Sequence, residues 1–209
     1  MPSEKKIVAI DAKGMVRSVA DGITGHGITV SHDGTLYVSE PGDHAELPSK
    51  LWKITPGGRK MATDLELFPA AGIAFQPDGA LFYVAESSSQ LVYSYVVQPD
   101  GSFADRQPFY WLHSTDMPHN SGAEDLASDK AGNLYVATRM GIQVCDLRGE
   151  VRAILPLPSY QPVRSLCFGG PNFDELYATD GVEVFKRKLL VSGVTPWMAP
   201  VPMPAPGGA

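Results

Sequence analysis

His26, Glu124, Asp125 and Arg164 are the residues of this chain best placed to do chemistry. An imidazole, two carboxylates and a guanidinium on one rim can bind a divalent cation, or pass protons as acid and base. They are far apart in sequence, yet each stands where a short apolar strand begins. The four entry segments are Gly25-His26-Gly27, Ala70-Ala71-Gly72, Ala123-Glu124-Asp125 and Val163-Arg164-Ser165. Glu124 and Asp125 are the catalytic candidates, and Glu124 with His26 the metal-ligand candidates. His26, Arg164 and His119 are the candidates for substrate contact. The competing reading makes His26 and Arg164 ordinary loop residues satisfied by water and backbone. His119 lies in the stretch Gln107–Gly122, read as the longest loop, with Trp111, His113, Asp116 and Asn120. Long loops in compact domains often serve as lids. His113 and His119 lack helical ligand spacing, so solvated loop histidines are the competing reading there.

The elements that must bring these residues together are visible as a repeat. Gly27–Glu40 reads GITVSHDGTLYVSE, Gly72–Glu86 GIAFQPDGALFYVAE, Asp125–Thr138 DLASDKAGNLYVAT and Ser165–Asp180 SLCFGGPNFDELYATD. Each is a short strand, a turn bearing Gly or Asp, and a second strand built around Tyr37, Tyr83, Tyr135 or Tyr177. Within the strands apolar and polar residues alternate with period two. Third strands follow at Leu51–Ile54, Leu91–Val97, Ile142–Cys145 and Val182–Phe185, and fourth strands at Arg59–Ala62 and Val151–Leu155. A four-stranded antiparallel unit repeating every 40–50 residues or so predicts an all-β fold, a β-propeller. Blades are expected near 27–63, 72–106, 124–156 and 164–191 in one domain spanning 1–194. Residues 6–20 resemble only the outer two strands of a further blade. The two incomplete ends could join, an N-terminal strand then completing the C-terminal blade. The tail, 195–209, is rich in proline and cannot form a ladder; it reads as a strap or a disordered end. In a propeller the first strands line the central channel, so the four entry segments converge on one mouth. Glu40, Glu86 and Asp180 close the Tyr strands and are expected to accept backbone N–H bonds at turns.

Bulk properties narrow the function. The formal charge is −6 and Lys186-Arg187-Lys188 is the longest basic run, so nucleic acid is not an expected partner. No apolar run is long enough to span a bilayer as a helix, and the start of the chain does not read as a signal peptide. A cytoplasmic protein with no membrane partner is expected. Cys145 and Cys167 fall in strands of different repeats and are expected to be buried free thiols. The chain has no Gly-x-Ser-x-Gly elbow, P-loop, His-Glu-x-x-His or Cys-x-x-Cys, so serine-hydrolase and zinc-peptidase mechanisms lack support.

The run GIAFQPDGALFYVAES, then SGAEDLASDKAGNLYVATRMGIQV, then FGGPNFDELYATDG, resembles the gluconolactonase, regucalcin and senescence-marker-protein family. The resemblance extends from about Gly25 to Pro206, and the ending VFKRKLLVSGVTPWMAPVPMPAP shares in it. It implies a six-bladed propeller and a metal-dependent hydrolase acting on a sugar lactone or related ester. It implies calcium, magnesium, manganese or zinc on the axis, polarising the carbonyl and activating water. Carried over residue by residue, the family's Asn before Gly-Ile is Ala71. Its metal-binding Asp falls at Glu124, the Gly after it at Asp125, and a contacting Asn at His26. Its first-blade Glu has no counterpart in residues 1–20. The alternative is a propeller without catalysis, serving as a binding or interaction module and completed by a homodimer.

Overall fold

The computed structural model describes residues 5–42, 48–65, 69–115 and 120–203. The described residues form an all-β propeller of antiparallel blades and contain no helix. A hairpin comes first, β1 (Lys6–Ile10) and β2 (Val16–Asp21). The first full blade is β3 (Ile28–Val30), β4 (Leu36–Glu40), β5 (Ser49–Ile54) and β6 (Lys60–Leu65). The second is β7 (Ala70–Phe75), β8 (Leu81–Glu86), β9 (Leu91–Val97) and β10 (Phe103–Trp111). The third is β11 (Asp125–Ser128), β12 (Leu134–Thr138), β13 (Gly141–Cys145) and β14 (Val151–Leu155). The last has three strands, β15 (Ser165–Gly169), β16 (Glu175–Thr179) and β17 (Val184–Lys188). Strands within each blade pair in chain order, innermost first. The inner strands stand side by side in the order β3, β7, β11, β15.

Turn chemistry sets the strand ends. Asp33, Asp78, Asp100, Asp129 and Asp146 each accept a backbone N–H two residues on. Such Asx turns let a short side chain reverse the chain without spending a ladder bond. The glycines that follow, Gly34 and Gly79 among them, have φ near +80° and +75°, a conformation costly for other residues. Glu40 takes the backbone N–H of Thr24 and the indole N–H of Trp52, and Asp180 takes those of Val182 and Glu183.

The core is a series of layers between blades. Tyr37 packs with Phe82 and Phe75 of the second blade. Tyr83 packs with Leu126 and Leu134 of the third, and Tyr135 with Leu166 and Phe168 of the fourth. The repeated tyrosine thus reaches forward into the next blade. Tyr177 has no next blade among the described residues, and its hydroxyl donates instead to Glu175 at 2.7 Å. At the other end Val8, Ile10, Met15, Val16 and Ile28 are exposed.

Three readings are corrected. The N-terminal hairpin does not complete the last blade: β1 pairs only with β2, and β15–β17 form a separate sheet. Ile7, Val19 and Ala20 bury against Ile23, Val38 and Ile54 of the first blade. The six residues linking β2 to β3 span at most about 20 Å, which keeps the hairpin beside its own successor. Residues 107–111 belong to strand β10 and not to a loop. That strand carries Pro108 at a blade edge, with register shifts on both sides, where proline's missing N–H is tolerated. Cys145 is a buried free thiol as expected, but Cys167 is exposed because β15 lies against the axial cavity.

Candidate active site

The entry segments meet because the inner strands approach unusually closely. A Cβ on Gly27 would lie 2.6 Å from the carbonyl oxygen of Ala71, and one on Gly72 would lie 2.5 Å from the Cα of Asp125. Backbone cannot give way as a flexible side chain can, so glycine is required at both places. Ser39 Oγ stitches the same seam, accepting from Gly27 N–H and donating to Ala71 O.

On this rim His26 and Glu124 are in contact across 98 residues of sequence. The imidazole Nε2–H donates to Glu124 Oε2 at 2.9 Å, and Arg164 Nη1 donates to Oε1 at 3.1 Å. Glu124 therefore bridges an imidazole and a guanidinium. Its side chain is 23% exposed, against 36% for His26 and 58% for Arg164. The hydrogen bond and charge of Glu124 raise the His26 pKa above its ordinary value and outweigh burial. In return, His26 first and Arg164 second hold the Glu124 carboxyl below its usual range.

Asp125 is adjacent but differently engaged. One oxygen accepts from Ser165 Oγ at 2.6 Å and Leu166 N–H at 3.1 Å, the other from Leu126 N–H at 2.9 Å. It ties the inner strand of the third blade to that of the fourth. Burial still pushes its carboxyl up, against those three bonds. His119 lies outside the described residues. Gln143, not singled out from the sequence, fixes the start of that same segment: its amide accepts from His113 N–H and donates to His113 O, both at 2.8 Å. A buried glutamine in a β-strand was the available signal.

Below the rim runs a cavity of about 400 Å³, bounded by all four inner strands. Its floor is the C-terminal segment. Val194 N–H donates to Ser128 O, Lys130 N–H to Ser192 O and Val201 N–H to Pro77 O. His32 lies between the carbonyls of Met198 and Pro77, 2.6 and 3.1 Å from its two ring nitrogens. His32 was also missed, since nothing in its His-Asp-Gly turn announces a partner 166 residues away.

These features, an axial cavity and a polar rim on a propeller, coincide with a family match over residues 6–181, to the SMP-30/gluconolactonase/LRE-like region. The chain belongs to this family. It is 26% identical over 134 residues to pentonolactonase XacC of Haloferax volcanii, covering 62% of this chain and 44% of that protein. Two solved structures share the fold at a TM-score of 0.70: a gluconolactonase from Xanthomonas campestris and a calcium-binding regucalcin from Agrobacterium tumefaciens. The first is 19% identical, over 90% of this chain and 65% of the other. The second is 15% identical, over 96% and 74%. The chain spans less than half the length of XacC.

The family implies a divalent cation, which the side chains of this rim would have to hold. Among the described residues no group of three or more His, Cys, Asp or Glu side chains converges as a cation site. Both Glu124 oxygens are committed, one of them to a fixed cation, and Asp125 is committed to Ser165 and Leu166. Ala71 has no side-chain ligand to offer, and its carbonyl oxygen accepts from Ser39 Oγ. A hard cation needs several free oxygen ligands, so these residues do not fit it.

Proposed function

We propose that the mouth of the channel opens a small lactone or related ester by general base catalysis. The observation that carries this reading is the Arg164–Glu124–His26 chain, which orients an imidazole at the edge of a cavity. Glu124 holds Nε2–H, so Nδ1 is the nitrogen left to take a proton from water. The resulting hydroxide attacks the carbonyl carbon. The tetrahedral oxyanion gains from the Arg164 guanidinium on the same rim. As the ring C–O bond breaks, His26 returns the proton to the departing alkoxide, leaving a hydroxy acid. Glu124 stays ionised throughout and stabilises the imidazolium, as carboxylates do in His-centred hydrolases. Asp125 acts in this scheme as the clamp between the third and fourth blades. The family match and the lactonase named among the relatives support the substrate class.

The test is a lactone-opening assay, read as acid release, with wild type, His26→Ala and Arg164→Ala. Loss of about 10²–10⁴-fold in kcat/KM in His26→Ala is expected for a general base. Turnover at the wild-type rate in that variant would remove the mechanism. Absence of turnover in wild type, with saturable ligand binding, would leave the non-catalytic binding module.

A further inference from the structure

Resting on the reading just given, we propose that the axial cavity is an apolar subsite, and that the preferred substrate carries an alkyl or aryl substituent on its lactone or ester group. The rim and the cavity beneath it differ in chemistry. The charged groups that could engage a reacting carbonyl, His26, Glu124 and Arg164, are together on the rim. Below them the walls are Ile28 and Val30 of β3, Leu126 of β11 and Phe168 of β15, and the floor is Val194 and Pro196.

Of the hydroxyls that line the cavity, those of Ser31, Ser128 and Ser165 have their protons committed, which leaves that of Thr29. Ser31 Oγ donates to Asp33, Ser128 Oγ to the carbonyl of Phe75, and Ser165 Oγ to Asp125. A polyhydroxylated ring pushed into this space would trade water for walls that offer few donors, at a cost of the order of 1–3 kcal/mol for each unmatched hydroxyl. A hydrocarbon substituent would trade water for Ile, Val, Leu and Phe side chains, which is favourable by about 0.8 kcal/mol per methylene. At about 400 Å³ the cavity lies at the small end of ligand pockets, suited to a short chain or a single ring.

The experiment measures kcat/KM for a series of γ-lactones with linear alkyl substituents of increasing length, beside a polyhydroxylated lactone of equal ring size. The expected result is a rise of about threefold to fourfold per methylene until the cavity is filled. Thr29→Phe, on the cavity wall, should flatten that series. A flat series in wild type, or a preference for the polyhydroxylated lactone, overturns the proposal while leaving lactone opening intact. A second readout does not need turnover. Cys167 is an exposed free thiol on the cavity wall, so it is open to alkylation by a maleimide. Linear alkyl carboxylates should slow that reaction, more strongly as the chain lengthens. Length-dependent protection without any turnover keeps the subsite and removes the hydrolase. Protection independent of length removes the subsite.

Discussion

Replacing Glu124 by Gln separates what this carboxylate does for stability from what it does for chemistry. The structure assigns it two partners, His26 at 2.9 Å and Arg164 at 3.1 Å. Both are substantially solvated, with side chains 36% and 58% exposed. Such pairs are worth a few tenths to about 1 kcal/mol each. The variant should therefore lose no more than about 1–2 kcal/mol, a fall in Tm of about 2–8 °C for a domain of this size. The effect on catalysis should be far larger, about 10²-fold or more in kcat/KM, because the imidazole loses both its orientation and its counter-charge. The pH dependence follows from the two shifts. His26 has its folded pKa raised, so its contribution to stability is complete below about pH 6.5 and is lost as pH rises through the folded value. Glu124 has its folded pKa lowered, so its contribution is complete above about pH 4.5 and is lost as pH falls through the folded value. The pair stabilises most between those limits. A base must be neutral, so activity should rise with pH through the raised His26 value, where the stability contribution declines. In Glu124→Gln the acid limb of kcat/KM should move down towards pH 6.5, the ordinary imidazole value. Stopped assays across pH 5–9, with circular-dichroism melts on the same samples, measure both. An unmoved acid limb with wild-type kcat/KM would refute the assignment of Glu124 as the group that orients His26.

Further outcomes follow from other parts of the molecule. Gly72→Ala should cost about 1–3 kcal/mol by chemical denaturation, because its Cβ would fall 2.5 Å from the Asp125 Cα; an unchanged midpoint would show that the seam between the second and third blades can yield. Asp125→Ala should be destabilising by a similar amount, since it leaves the buried Leu166 N–H without its acceptor; a loss of turnover at unchanged stability would return Asp125 to the catalytic group. Thiol titration of the native protein should label Cys167 and spare Cys145, which is buried with its thiol pushed up to about 12; two equivalents released at equal rates would contradict this. Chelation should leave lactone opening unchanged, since the described rim residues offer no set of free oxygen ligands; loss of activity that calcium or manganese restores would overturn that reading.

Much of the fold was legible because its signals are local. The alternation around Tyr37, Tyr83 and Tyr135 and the Asp-Gly turns need only neighbouring residues, and strands β9 and β14 begin and end where the sequence placed them. The meeting of His26 and Glu124 was legible at one remove, since equivalent positions in a radial repeat must converge. What tertiary contact decides was not. Nothing near Asp125 announces that Ser165 and Leu166 will capture its carboxylate, nothing near Gln143 that it will clamp His113, and nothing near His32 that Met198 will reach it. The join that the pattern allowed between the chain's two ends failed for the same kind of reason: pattern identified unpaired strands, but burial of Ile7 and Val19 against the first blade decided where they went.

The segment from Ser192 to Val201 touches, in order, the turn of the third blade, then those of the first and second. A row of blades in which each meets only its neighbours could fray from either end independently. A tie-line running under the row makes the outer members answer to one another, so hydrogen exchange in β3 and β15 should slow and quicken together. Cutting the chain after Leu190 would then turn one cooperative unit into several.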